Sequence, residues 1–267
     1  MSTPSKWTVR HIRSLKGGRF ACVTAYDTTT ARWAEEAGIP LVLVGDSLAM
    51  TSLGYSSTLP VTLEQMLHHA AAVSRGAPRA FRVGDMPFLS YQGTADEAVV
   101  AAGRFLKEGG MDAVKLEGGA HRAALIERMV TEGIPVMAHI GLLPQRVNAM
   151  GGYRVQGRTD DEARRLMEDA RAVSDAGAFS VVLEGIPSSL AGTITAAIPV
   201  PTIGIGAGPR CDGQILVIHD LLGMGGGPAP KFVKTYAKLG ASATTALRRY
   251  AAEVSRGAFP GRAHQYH

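Results

Sequence analysis

The chain has 267 residues, 46% of them hydrophobic and 19% charged, with Gly 32 and Pro 14; this is enough apolar material for a sizeable core, and it excludes collagen-like, low-complexity and wholly disordered chains. The formal charge of +5 is uneven: residues 1–19 carry five Lys/Arg and no acid, residues 231–267 carry seven against Glu253 alone, and the body between is acidic. The basic ends show neither interleaved aromatics nor a binding motif, so no nucleic-acid partner is expected.

No export signal is read in the first nineteen residues, where Lys6, Arg10, Arg13, Lys16 and Arg19 are scattered among polar ones. The uncharged stretch 185–209 is interrupted by Pro187, Pro199, Pro201 and Pro209, so no membrane span or membrane partner is expected. Cys22 and Cys211 make no zinc spacing and suit a reducing compartment, which places the protein in the cytoplasm.

In chain order, a helix over 8–17 precedes eight short apolar, β-branched runs: 20–26, 41–46, 81–85, 113–117, 135–140, 180–184, 201–206 and 214–220. Helical patterns at 28–37, 63–74, 95–108, 121–131, 160–176 and 231–255 alternate with them. Thr62 followed by Gln65 reads as a capping box that opens the second of these helices. This rhythm predicts an α/β protein, a (β/α)8 TIM barrel with an extra N-terminal helix, as a single catalytic domain over 1–267. A doubly wound sheet is the alternative, and the missing GxGxxG after the first run weakens its dinucleotide-binding version.

Buried parallel strands are almost wholly apolar, so ionisable groups at their C-terminal ends need an explanation. Asp46, Asp85, Lys115 with Glu117, His139 and Glu184 sit at or near the ends of runs two to six, and in a barrel those ends converge on one mouth. Asp46, Asp85 and Glu117 would repel one another unless a cation bridges them. Oxygen-only donors point to Mg²⁺, with Mn²⁺ as substitute. The competing reading is that each Asp only caps the following helix.

Lys115 and Glu117, two apart, face the same side and either pair with each other or leave Lys115 to bind a substrate carboxylate. For His139, three roles stay open: ligand, acid/base group, or core histidine. Glu184, across the mouth from runs two to four, suits a general base whose partial burial raises its pKa; the alternative is a carboxylate bonded to loop amides. The GIGAGP segment at 204–209 resembles a phosphate cradle, although close packing explains its glycines equally well. His68 and His69 are expected on the surface.

The segments TAYD, VGDS, STLPVT, VKLEGG, AHIGL with PQ, GGYRVQGR, LEGIP, PTIGIGAG with DGQILV, HDLLG and PKFVK, from Tyr26 to Lys234, closely resemble the ketopantoate hydroxymethyltransferase family. The resemblance implies a (β/α)8 barrel that transfers a hydroxymethyl group from the co-substrate 5,10-methylenetetrahydrofolate to 3-methyl-2-oxobutanoate through a Mg²⁺-stabilised enolate. The product is 2-dehydropantoate, on the way to pantothenate and coenzyme A. It also implies one Mg²⁺ per subunit at Asp46, Asp85 and Glu117, keto-acid contacts from Asp46, Ser47, Asp85 and Lys115, and Glu184 as proton acceptor. A homo-oligomer, a decamer built as a pentamer of dimers, is implied by the resemblance alone. The chain departs from the family's usual pattern at Ala49, Ser56 and Gly84, which puts turn geometry near the mouth in question. A lyase or mutase of the related phosphoenolpyruvate-type barrels, sharing the carboxylates, and a catalytically silent scaffold are the rival readings.

Overall fold

A computed structural model describes residues 5–225 and 230–266. The chain divides into two compact units, Met1–Val217 and Ile218–His267. The first is a closed barrel of eight parallel strands in sequential order: β1 (Phe20–Thr24), β2 (Leu41–Val44), β3 (Phe81–Asp85), β4 (Ala113–Glu117), β5 (Val136–Gly141), β6 (Ser180–Glu184), β7 (Thr202–Ile205) and β8 (Gly213–Leu216). β8 pairs with β1 through Phe20↔Gly213 to Val23↔Leu216 and closes the ring.

Alternate residues along each strand point inward. Leu41 and Leu43, Phe81 and Val83, Ala113, Met137, Phe179, Val182, Ile203 and Ile215 fill the interior, with Phe81 and Phe179 edge to face at 5.3 Å. The predicted N-terminal helix is a single short one, Val9–Arg13, capped by Thr8, and its Ile12 is fully buried in this core. The same inward rank continues upward into polar residues. Asp85 follows Phe81 and Val83, Lys115 and Glu117 follow Ala113, His139 follows Met137, and Glu184 follows Val182.

The outer helices are held by sequence-encoded caps. Thr62 and Gln65 form the predicted capping box on Leu63–Gly76, with Gln65 N donating to Thr62 Oγ1 at 3.2 Å and Thr62 N to Gln65 Oε1 at 2.9 Å. Thr94 with Glu97 and Thr159 with Glu162 do the same for Ala95–Lys107 and Asp160–Asp175.

Two departures matter. No helix separates β7 from β8: residues 206–212 lead straight into the next strand. The GIGAGP segment therefore opens no helix and offers no phosphate cradle of that kind. Its glycines answer to packing, since a Cβ on Gly208 would lie 2.3 Å from Ser188 Oγ and one on Gly204 would lie 2.9 Å from Cys211 Sγ. Helix Ser188–Ala197, between β6 and β7, was not among the predicted helices.

In the second unit, the run expected as strand to Asp220 instead becomes a helix, Ile218–Leu222, and the helix expected from 231 begins at Leu239 and ends at Ser255. The segment before it is bonded elsewhere, with Tyr236 N donating to Leu221 O and the Thr235 side-chain Oγ1 to Asp220 O.

Candidate active site

The polar side chains that cap the inward ranks meet at the C-terminal mouth of the barrel, where this fold carries its chemistry. Asp46, Asp85, Lys115, Glu117 and His139 are all buried there, and the Glu184 side chain is 19% exposed. Strand register brings Asp85 level with Lys115, and Glu117 level with His139.

Lys115 Nζ donates to both oxygens of Asp85, at 2.6 and 2.7 Å. Asp85 Oδ2 also accepts the Asp46 N–H at 3.1 Å. The helix-cap reading of the two aspartates fails. Asp46 accepts from Gln145, the following turn at Ser47 has no side-chain cap bond, and the helix after Asp85 is capped by Thr94. Lys115 pairs with Asp85, not with Glu117 as the simpler pairing had it. Ser47 Oγ lies 2.7 Å from the Tyr26 hydroxyl, which fixes it at the edge of the mouth.

The charges are out of balance. Asp46, Asp85, Glu117 and Glu184 face one lysine among the described residues. Burial pushes the Asp85 carboxyl up against the pull of Lys115, with Asp46 adding to the rise. Glu117 is raised well above its ordinary value by burial, with Asp46, Asp85 and Glu184 adding to the rise. Burial disfavours the Lys115 charge, but Asp85, Asp46 and Glu117 outweigh it and hold the ammonium protonated.

His139 is lowered by burial and by Lys115, so it is neutral at neutral pH. Its Nε2 lies 3.2 Å from Glu184 Oε2 and its Nδ1 3.8 Å from Glu117 Oε1. Neither nitrogen makes an aligned hydrogen bond. Glu184 is thus one imidazole away from the carboxylate group, not isolated across the mouth.

Among the described residues no three His, Cys, Asp or Glu side chains are gathered as a ready metal cage. The donor set still fits a hard cation: the carboxylates are crowded, Asp85 and Glu117 are raised by burial and then by their acidic neighbours, and Mg²⁺ typically takes only one or two carboxylates with water and substrate oxygens.

Sequence reasoning missed the residue that ties these groups together. Gln145 is buried, and its Nε2 donates to Asp46 Oδ2 at 3.0 Å and to the Met86 carbonyl at 2.9 Å. Its backbone N–H donates to Glu117 Oε2 at 3.2 Å, and its Oε1 accepts the Tyr91 hydroxyl at 2.6 Å. The only signal for it was the PQ that follows AHIGL. Tyr153 was missed too. Its hydroxyl is 4.0 Å from Met50 Sδ, and its pKa is raised by burial and by Asp46, Glu184 and Glu117. His68 is exposed as expected, but His69 is half-buried, with its Nδ1 2.6 Å from the Tyr26 carbonyl oxygen.

A model of the ketopantoate hydroxymethyltransferase family matches residues 6–262. The chain belongs to that family. The 3-methyl-2-oxobutanoate hydroxymethyltransferase of Carboxydothermus hydrogenoformans is 55% identical over 261 residues, 97% of this chain and 95% of the relative. Its namesake from Thermus thermophilus is 52% identical over 259 residues, 97% and 99% of the two chains. As a member of the ketopantoate hydroxymethyltransferases the chain is an enzyme, a hydroxymethyltransferase, and the silent-scaffold reading falls.

Solved barrels outside the family share only the fold. Phosphoenolpyruvate phosphomutase from Streptomyces platensis subsp. rosaceus superposes with a TM-score of 0.63 at 15% identity, covering 94% of this chain and 88% of its own. Phosphonopyruvate hydrolase, solved with oxalate and Mg²⁺, gives 0.62 at 13%, covering 97% and 93%. At such identities they do not revive a mutase or lyase reading.

Proposed function

We propose that the enzyme transfers a hydroxymethyl group from 5,10-methylenetetrahydrofolate to 3-methyl-2-oxobutanoate through an enolate, giving 2-dehydropantoate, the first step towards pantothenate and coenzyme A. The observation that carries this reading is the buried carboxylate group around Lys115 at the mouth, with Glu184 at its more open edge. The names of the close relatives support the keto acid.

Asp46 and Asp85, with Glu117, are the residues that would hold Mg²⁺. When bound, the metal supplies Lewis acidity that stabilises the negative charge developing on the keto oxygen as the methine proton leaves. Lys115, kept charged by its neighbours, attracts the anionic end of the keto acid, and Ser47, fixed by Tyr26, offers a hydroxyl beside it. Glu184 takes the methine proton. His139 stands beside it, with Nε2 3.2 Å from its Oε2. Gln145 holds Asp46 and Glu117 in place without adding charge.

The test is proton exchange. Enzyme with Mg²⁺ and 3-methyl-2-oxobutanoate in D₂O loses the methine proton signal without any folate, and EDTA stops the loss. Exchange that survives thorough chelation removes the metal from the reading, and no exchange at all removes the enolate.

We also propose a cytoplasmic homo-oligomer, a decamer built as a pentamer of dimers. The basic ends and acidic body offer complementary charge, and helix Leu239–Ser255 exposes Leu247, Tyr250 and Val254 at helical spacing with no buried residue of its own. No helix among the described residues is long and apolar enough to cross a membrane. Light scattering that gives a monomer at every salt concentration overturns the assembly.

A further inference from the structure

A cavity of about 350 Å³ lies beside the mouth, within the size range of small-molecule sites. Its walls begin one or two residues beyond three active-site side chains: Gly119 after Glu117, Ile140 after His139, and Arg146 after Gln145. Because His139 points into the barrel, Ile140 points outward, so the cavity is a neighbour of the carboxylate group and not part of it.

Leu143, Met150 and Leu166 give the cavity an apolar wall, and Arg146, Arg165 and His121 line it with nitrogen groups. Arg146 is near enough to help lower the His121 pKa, after burial and Arg122. Two carboxylates also line it, but both are committed to backbone amides. Glu162 accepts the Arg158 N–H at 2.8 Å, and Asp169 accepts the Ala120 N–H at 2.7 Å. Among the described residues, neither Arg146 nor Arg165 has a carboxylate within ion-pair distance, whereas Arg164 on the same helix is paired with Asp161. Arg165 acts on Glu162 only from beyond that distance, helping to lower its carboxyl after the backbone amides. Two guanidiniums with no carboxylate bound to them, beside an apolar wall, suit a ligand with a flat apolar part that ends in carboxylates.

The folate reading above supplies such a ligand, and the inference rests on it. The donor's reactive carbon must reach the mouth, while its remaining length, an aromatic ring followed by glutamate carboxylates, has to leave it. We propose that the cavity binds the p-aminobenzoylglutamate half of the donor, with the ring against Leu143, Met150 and Leu166 and the glutamate carboxylates on Arg146 and Arg165. Further glutamates in the tail then add anionic groups to the same guanidiniums.

Calorimetry on the full-length enzyme with p-aminobenzoylglutamate and p-aminobenzoyltriglutamate tests this directly. The wild type should bind both, the triglutamate more tightly. Arg146→Ala and Arg165→Ala should each weaken the triglutamate about tenfold, while Arg164→Ala keeps wild-type affinity. In turnover, KM for the folate donor should rise by more than kcat falls. If the alanine variants do not fold, hydrogen exchange on the wild type replaces them, and the probe should protect 119–122 and 140–146.

Wild-type affinity in the combined Arg146→Ala/Arg165→Ala variant, or no probe binding to the wild type, overturns the proposal. Methine proton exchange by the wild type needs no folate, so it reports on the enolate reading separately. Exchange without probe binding leaves that reading standing and removes only the cavity's role. Probe binding that depends on both arginines, without exchange, upholds the cavity and sinks the enolate.

Discussion

The Lys115 ammonium bridges both carboxylate oxygens of Asp85, at 2.6 and 2.7 Å, with both side chains buried. Removing one partner of such a pair strands the other charge. Lys115→Met is therefore expected to lose about 3–5 kcal/mol of stability, measured by urea unfolding. Lys115→Met/Asp85→Leu should recover most of that loss yet bind no keto acid. A single variant as stable as the wild type would mean that Asp85 is already protonated and that Lys115 is not its counter-ion.

Gln145 supplies neutral donors to Asp46 and Glu117 and accepts from Tyr91. Gln145→Leu keeps the backbone N–H to Glu117 but leaves Asp46, the Met86 carbonyl and the Tyr91 hydroxyl short of a partner, at a cost of about 1–3 kcal/mol. Gln145→Glu should be worse for function than for fold, since it puts another carboxylate beside Asp46. Keto-acid affinity by calorimetry should fall further in the Glu variant than in the Leu variant. Equal affinities would show that Gln145 shapes the core but not the charge of the site.

Gly84, in β3, has no room for a side chain. A Cβ there would lie 2.3 Å from Phe105 Cδ1 and 3.1 Å from Met111 Cγ. Gly84→Ala should cost about 1–3 kcal/mol through overpacking. Gly84→Ala/Phe105→Leu should regain part of it, because the smaller side chain vacates the space. A Gly84→Ala protein with an unshifted unfolding midpoint would show that the Phe105 ring moves aside freely.

What was legible in the sequence follows from how each signal is written. β3, β4 and β6 were read to the residue, because their apolar runs end in the charged groups Asp85, Glu117 and Glu184 that mark the mouth. Helix Ser188–Ala197 was hidden: its SSLAGTITAA has no charge to define a polar face, and it lies inside a long uncharged stretch. The helix expected from 231 starts late because local periodicity does not register that the Thr235 hydroxyl bonds back to the Asp220 carbonyl and the Tyr236 N–H to that of Leu221.

In the site, charged residues at strand ends announced themselves, since charge is anomalous there. Gln145 did not, because an uncharged residue in a single 3-10 turn after proline carries no such anomaly. Its importance comes from contacts with Asp46 and Met86, 99 and 59 positions away.

Glu184→Gln is the sharpest test of the proton route. Glu184 Oε2 lies 3.2 Å from His139 Nε2, and its side chain is the more open carboxylate of the mouth. The amide keeps its shape and leaves an oxygen to face neutral His139, but it has no lone base to take the methine proton. Keto-acid affinity should stay near wild type while both D₂O exchange and turnover fall by about 10² to 10⁴, the usual contribution of a general base. A parallel fall in the two rates is the informative part, since a residue that only positions folate would slow turnover and spare the exchange. If both rates hold, the proton goes elsewhere, and His139→Gln becomes the deciding variant because that imidazole also lies 3.8 Å from Glu117.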